Sequence, residues 1–309
     1  MQTALHRNVW GGLFYPNLIS IPYTMLMKHW VRLIILYLVI ASAAALAWMA
    51  YDAPDEMLTV AFLDVGQGDS IFIQSPTGRQ VLIDGGIDRD VLAQLASVMP
   101  FFDRSIDMII ATHPDKDHIG GLPYVFEQYD IDLVLDPGLE ADTEGYDFYA
   151  DMRTREKDVV YREARRGQVI DLGGGAYIRI LYPDKDMDGA EDTNSASIVA
   201  QLVYGETEVM LTGDAPNETE RYLVSIDTHL ASDILKAGHH GSKTSTSQEF
   251  LDFVDPDYVI ISAGKDNSYG HPYKEVIDRL VAASTTILET FEEGTIVFES
   301  DGANLSLKE

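Results

Sequence analysis

Ten residues constrain this chain more than any others: Thr112-His113-Pro114-Asp115-Lys116-Asp117-His118-Ile119-Gly120-Gly121. They close the apolar, β-rich run IDMIIAT, so they sit where a buried strand leaves its sheet. Two imidazoles and two carboxylates lie within the six residues from His113 to His118. Such groups cannot be packed as core, because each would lose its hydration without an assured partner. A strand end followed by a turn can point alternate side chains into one cavity, and the glycines let a helix start close by. Nitrogen and oxygen ligands spaced this tightly suit two adjacent divalent cations. The bland alternative is a solvated turn.

Composition removes other chemistries. The chain has 309 residues, 46% of them hydrophobic, and no cysteine. That is enough apolar material for one large core or two modest ones, and it excludes a disordered chain. Disulfides, thiolate zinc sites and a cysteine nucleophile are all excluded, so any metal must be held by imidazole and carboxylate. The formal net charge is −28. Such a surface repels nucleic acid at long range and argues against a free-standing DNA-binding module. It reads as a solvated acidic shell, as in proteins working at high salt, with a cationic partner as the rival reading.

From Leu33 to Tyr51 no residue is charged, and LIILYLVIASAAALAWMAY is long enough, at about 1.5 Å per residue, to cross a bilayer core of ~30 Å. Lys28 and Arg32 precede it, whereas Asp52, Asp55 and Glu56 follow. The positive-inside rule then sets the N-terminus in the cytoplasm and the main body outside. Trp30, Trp48 and Tyr51 stand at the ends, as interfacial aromatics do. The expected organisation is a tail over residues 1–26, a transmembrane signal anchor over 27–52 and one globular domain over 53–309. Met27 is itself a plausible start, which would make the tail a start-site artefact. A signal peptide, whose cleavage would leave a secreted protein, is one alternative to the anchor, and a buried core helix is the other.

The domain reads as α/β. SIFIQS and QVLIDGG are β-rich runs joined by the turn Pro76-Thr77-Gly78, followed by a helical stretch VLAQLASVMPFF, the strand IDMIIAT and the strand DLVLDPG. Glu140 to Arg166 is polar, a surface excursion with helical parts. QVIDLGGGAYIRILYP and SIVAQLVYGETEVMLTGD read as successive antiparallel strands turning at Gly173-Gly174-Gly175 and at Gly205-Glu206. A helix near Asn217 to Ser225, strand DILKAGHH, helix SQEFLDFV, strand YVIISAG and helix YKEVIDRLVAAS follow, then the β-rich runs TTILET and GTIVFES. Two halves that each mix strands and helices imply two sheets back to back, covered by helices.

HPDKDHIGG resembles the HxHxDH signature of the metallo-β-lactamase superfamily, with Asp115 in the place of the second histidine. That HxDxDH form is similar to the hydrolase domain of the competence protein ComEC. FLDVGQGDS, LIDGG, HPDKDHIGG, LTGD, LKAGHHGS and YGHP follow the family's order across Leu58 to Asn304. The resemblance implies an αβ/βα four-layer sandwich, two mixed β-sheets flanked by helices, here preceded by one N-terminal transmembrane helix. It also implies a dinuclear metal site. Asp214, which ends the strand EVMLTGD beside Gly213, resembles the bridging aspartate, and His271, after the strand YVIISAG, resembles the last histidine ligand. His113 and Asp115 would hold one cation, Asp117, His118 and His271 the other, with Asp214 between them. Asp115 hardens one position, so manganese becomes plausible beside zinc.

Other residues take supporting expectations. His239 and His240, in LKAGHHGS, are candidate catalytic residues with Asp117: leaving-group acids, phosphate contacts or, for one of them, a metal ligand. Lys236 and Ser242 offer a charge and a donor to substrate phosphate, and Asn194 and Ser197 would line the site. Asp84 resembles the acidic residue that orients the metal loop by hydrogen bonds, with Asp64, Gln67 and Asp69 supporting that region. His6, His29 and His229 have no partner motif.

The expected function is a metal-dependent phosphodiesterase or nuclease using a hydroxide bridging two divalent metals, Zn or Mn. Its substrate would be a phosphodiester, single-stranded DNA included, and its catalytic domain would be extracytoplasmic. An ester, amide or lactam hydrolase on the same fold is the first alternative, and a non-catalytic surface binding module the second. No protein partner is implied. The resemblance does not reach the multi-helix channel or the oligonucleotide-binding-type domain of ComEC, so a DNA-uptake role is not carried over.

Overall fold

The computed structural model describes residues 23–51, 57–155, 159–226 and 229–308. The tail expected over 1–26 lies outside them as far as residue 22, as do Asp52, Asp55 and Glu56. The chain divides into two units, Met1–Ala53 and Pro54–Glu309. The first contributes one helix, Tyr23–Tyr51. Its stretch Met27–Leu46 has every side chain exposed, and its 20 residues are long and apolar enough to cross a membrane.

The second unit is built on two mixed sheets. The first holds β1 (Leu58–Phe62), β2 (Ile71–Gln74), β3 (Gln80–Ile83), β4 (Ser105–Ile110), β5 (Asp130–Asp136), β6 (Val160–Glu163), β14 (Ile296–Ser300) and β15 (Leu305–Lys308), in the order β15-β14-β1-β2-β3-β4-β5-β6. The second holds β7 (Val169–Gly173), β8 (Ala176–Tyr182), β9 (Val199–Tyr204), β10 (Thr207–Leu211), β11 (Ile234–Lys236), β12 (Tyr258–Ile261) and β13 (Thr286–Glu289), in the order β13-β12-β11-β10-β9-β8-β7.

The two-residue period of a strand explains the layers. Leu58, Val60 and Phe62 of β1 face one core with Ile178, Ile180, Leu202 and Val209 from the other sheet. The intervening Ala61, with Leu82 and Ile109, turns to the opposite face and packs under Leu95, Leu122, Val125 and Tyr149 of the helices Val91–Val98, Leu122–Gln128 and Glu144–Arg155. Met210, Leu235 and Val259 likewise pack under Leu223, Leu251 and Val276 of the helices Asn217–Ile226, Gln248–Val254 and Lys274–Ala282. Helix, sheet, sheet, helix is the expected four-layer sandwich.

Some boundaries differ from the sequence reading. The helix begun at Val91 stops at Val98, because Pro100 drives Met99 into extended backbone at φ −91° and ψ 153°. The polar excursion holds a helix with Glu144 and Asp147 in its first turn and Arg153 and Arg155 in its last, matching the helix dipole, and then β6, an edge strand. The helix Leu122–Gln128 starts directly after Gly121, as the glycines allowed, while strand β15 was not foreseen, since four residues are too few to display a period.

One topological fact positions the site. Strands β3 to β6 run parallel, and so do β10 to β13. Their C-terminal ends, where α/β sheets gather functional loops, therefore share an edge within each sheet.

Candidate metal centre

The metal loop leaves β4 at Ile110 and is tied down at once by the loop after β3. Asp84 adopts the left-handed conformation at φ 57° and is fully buried. Its carboxylate accepts the Thr112 N–H at 2.8 Å, the Thr112 hydroxyl at 2.7 Å and His118 Nδ1 at 2.7 Å. The Thr112 hydroxyl also lies 3.0 Å from His113 Nδ1. Close backbone approach explains two glycines. A Cβ on Gly121 would sit 1.9 Å from the Gly85 carbonyl oxygen, and one on Gly68 would sit 2.0 Å from that of Asp117.

The second sheet supplies the facing groups. Asp214 follows β10, its N–H donating to Ser197 Oγ at 3.2 Å. His239 and His240 follow β11, both in left-handed backbone. His240 Nδ1 lies 2.8 Å from the Ser262 carbonyl, which comes from the end of β12.

Three imidazoles thus have Nδ1 engaged from behind and Nε2 turned to a common point. His118 and His240 Nε2 each lie 3.4 Å from Asp214 Oδ2, and His113 Nε2 lies 4.0 Å from it. These three Nε2 atoms and Asp214 Oδ1 are buried without a hydrogen-bond partner. Asp115 approaches His113 Nε2 at 3.7 Å, and Asp117 approaches His240 Nε2 at 3.4 Å. Ligand atoms of His113, His118 and Asp214 lie within 4.8 Å of one another, and so do those of Asp117, His118 and His240. A buried donor set left unsatisfied is costly unless a cation completes it.

Charge agrees with geometry. Burial would lower the His118 imidazole, but Asp214 and Asp84 outweigh it and hold His118 well above the usual range. His240 is raised in the same way against burial, by Asp214, Asp117 and Asp69. Burial would raise the Asp214 carboxyl, yet His240 and His118 hold it well below the carboxylate range. Asp69, Asp84, Asp115, Asp117 and Asp214 bring five carboxylates to this cluster, against one buried lysine, Lys236. Two divalent cations would balance these fixed charges. The residues fit such a pair.

The expected residues do not all arrive. His113, Asp115, Asp117, His118 and Asp214 converge, and His239 joins them at the mouth with Nε2 3.7 Å from Asp214 Oδ2. His271 stands apart: its ring is 6.3 Å from that of His240 and 5.4 Å from that of His239, and it enters none of the ligand groups among the described residues. Asn267 grips its backbone from both sides and Tyr269 stacks on its ring. Burial and the neighbouring His239 lower its imidazole to about 4. The position expected of His271 beside Asp117 and His118 is taken in space by His240.

Four supporting expectations are corrected. Lys236 is wholly buried, 2.8 Å from Asp69 Oδ1, and cannot meet a substrate phosphate. Ser197 is also buried and braces Asp214 rather than lining the cleft. Ser242 is buried in the turn after His240, its hydroxyl bonded to Thr244. Asp64 serves its own loop: its carboxylate accepts the Gly66 N–H and its N–H donates to Thr295 Oγ1 at 3.1 Å. Gln67 reaches Gly264 and so links the two halves of the domain near the site. Asn194 is half-buried in the turn Thr193–Ala196, beside Thr193, whose side chain meets Asp115. Asp69, named as support for its region, is the residue whose importance was missed. The signal was Lys236 itself, a lysine inside the apolar run DILKAG that needed an acid.

Comparison with known proteins agrees with this geometry. The family model of the metallo-beta-lactamase superfamily matches residues 63–265. ComE operon protein 3 of Bacillus subtilis is 33% identical over 257 residues, covering 77% of this chain and 32% of that protein. Recombination protein 2 of Haemophilus influenzae is 30% identical, covering 76% of this chain and 28% of its own. The chain therefore spans about a third of the length of these relatives. Among solved structures, CmlA, a diiron β-hydroxylase from Streptomyces venezuelae, superposes with a TM-score of 0.50 at 14% identity, over 75% of this chain and 52% of that one. That likeness concerns the fold alone.

Proposed function

This chain belongs to the metallo-β-lactamase superfamily, and from that premise we propose that it is a metal-dependent phosphodiesterase, anchored by its N-terminal helix with the globular unit outside the cytoplasm. The observation that carries the reading is the convergence of three unpartnered Nε2 atoms and Asp214 in one buried cluster. Phosphorus is favoured over carbon by the oxygen-rich ligand set, with Asp115 where the superfamily signature has a histidine, and by relatives named for competence and recombination. The same hardness favours manganese beside zinc.

In this reading His113 and Asp115 would hold one cation and Asp117, His118 and His240 the other, with Asp214 within reach of both. Two divalent cations supply a water made acidic near neutral pH and offset charge on the reacting oxygens. The chain's own residues do the rest. Asp84, Thr112 and the Ser262 carbonyl hold three imidazoles in the tautomer that presents Nε2 forward. His239, with 27% of its side chain exposed and Thr244 behind its Nδ1, stands where it can donate a hydrogen bond to the departing oxygen. Lys28 and Arg32, near the N-terminal end of the helix and ahead of its uncharged stretch, support the outside orientation of the body.

The test is turnover by the full chain in detergent, stripped and reloaded with Mn²⁺ or Zn²⁺, on bis(p-nitrophenyl) phosphate and single-stranded DNA. Hydrolysis is expected that falls to background in His113→Ala and Asp117→Ala. A loaded protein that opens lactones or lactams far faster than it cleaves phosphodiesters overturns the substrate class. A chain that retains no cation overturns the centre itself.

A further inference from the structure

The metal-centre reading leaves one buried charged pair without a task. Lys236, at the end of β11 in the second sheet, has no exposed surface, and Nζ lies 2.8 Å from Oδ1 of Asp69, which follows the loop after β1 in the first sheet. Nζ also donates to the Ala237 carbonyl at 2.9 Å, so the ammonium is fixed at two points. The obvious task, orienting His240, is already performed by another group. His240 Nδ1 is closer to the Ser262 carbonyl, at 2.8 Å, than to Asp69 Oδ1, at 3.3 Å.

Distance does not keep Asp69 out of the centre. A carboxylate oxygen of Asp69 and the ligand atoms of Asp214 and His240 lie within 4.8 Å of one another, the same spread as in the Asp117, His118 and His240 group. What separates Asp69 from the ligands is its partner. We propose that Lys236 is a positioning residue that holds Asp69 behind His240, and that without it the Asp69 carboxylate swings forward as an additional oxygen ligand of the cation at Asp117, His118 and His240. Lys236 then sets both the ligand count and the hardness of that position, and thereby its preference between metals. The proposal rests on the metal-centre reading above.

The experiment uses the full chain in detergent, dialysed against equal concentrations of Mn²⁺ and Zn²⁺, with metal content read by elemental analysis. A parallel sample is loaded with Co²⁺ and its visible absorption recorded. Wild type is expected to hold about two cations. In Lys236→Met the Mn:Zn ratio should rise roughly tenfold and the Co²⁺ band should weaken as coordination expands. Lys236→Met/Asp69→Asn should restore both wild-type values. A Lys236→Met protein that holds its cations with an unchanged ratio and band overturns the proposal.

Should Lys236→Met fail to fold, the double variant, which buries no lone charge, and a metal-loaded wild-type structure decide. Asp69 bonded to a cation in wild type, or an altered ratio in the double variant, overturns the proposal. Asp69 still paired with Lys236 and a wild-type ratio in the double variant uphold it. A wild type that binds neither metal removes the centre, and with it this inference, and that result is distinct from all the others.

Discussion

The two sheets build their shares of the centre differently. The first supplies His113, Asp115, Asp117 and His118 from a single loop, braced by one buried carboxylate, Asp84. The second supplies Asp214 and His240 from separate strand ends. The loop that carries His240 is braced from the helix Asn217–Ile226, where Glu220 accepts the N–H groups of Thr246 at 2.5 Å and Ser247 at 2.8 Å. One side is a compact motif held by a group that touches its ligand. The other is dispersed: a main-chain carbonyl, that of Ser262, touches His240, and its carboxylate brace, Glu220, acts at one remove on the loop. Mutations should therefore be felt directly on the first side and through loop position on the second.

The largest effect should ignore this difference. Asp117→Ala from the first side and Asp214→Ala from the second should each lower phosphodiester turnover by about 10³-fold, because each removes charge from the reacting centre. A loss confined to one side would break the symmetry of the shared site. Next, His240→Ala and His271→Ala separate the two candidates for the last imidazole. The first should weaken metal retention by about 100-fold and the second should leave the metal content intact, as read by elemental analysis after dialysis.

Asp84→Asn tests the direct brace. It keeps the size of the side chain but weakens the hold on His118, and metal affinity should drop by roughly 10-fold to 100-fold. Chelation should be felt on both sides at once. Removing a cation held at about 100 times its Kd costs about 2.7 kcal/mol for each site emptied, visible as a lower midpoint in thermal unfolding. The remote brace gives the smallest effect. Burial holds the Glu220 carboxyl above its ordinary 4.5, against the Ser247 and Thr246 N–H groups that lower it. The folded state therefore binds more protons than the unfolded chain between 4.5 and that raised value, and stability falls as pH rises through this window. Glu220→Gln should flatten that part of the stability profile while leaving metal content unchanged.

The same contrast decides what the sequence made legible. His113 to His118 could be read because the ligands are contiguous and cannot all be core. The strands around them could be read from turns such as Pro76-Thr77-Gly78 and Gly173-Gly174-Gly175. The sequence reading put His271 ahead of His240 as the last imidazole, because their loops carry no spacing relation to the metal loop that could decide between them. The 3.4 Å from His240 Nε2 to Asp214, the Ser262 carbonyl behind that ring and the Asn267 grip on His271 distinguish them. Burial was the other blind spot. Lys236, Ser197 and Ser242 sit among motif residues and look available, yet all three are packed away and spend their polar groups on Asp69, the Asp214 N–H and Thr244.

Asp214 and His240 arrive from the second sheet, so neither half of the domain carries a complete donor set by itself. A pair of cations would therefore meet its full donor set only once the two halves have docked. The cations available where the chain completes its fold would then decide which ions the centre receives.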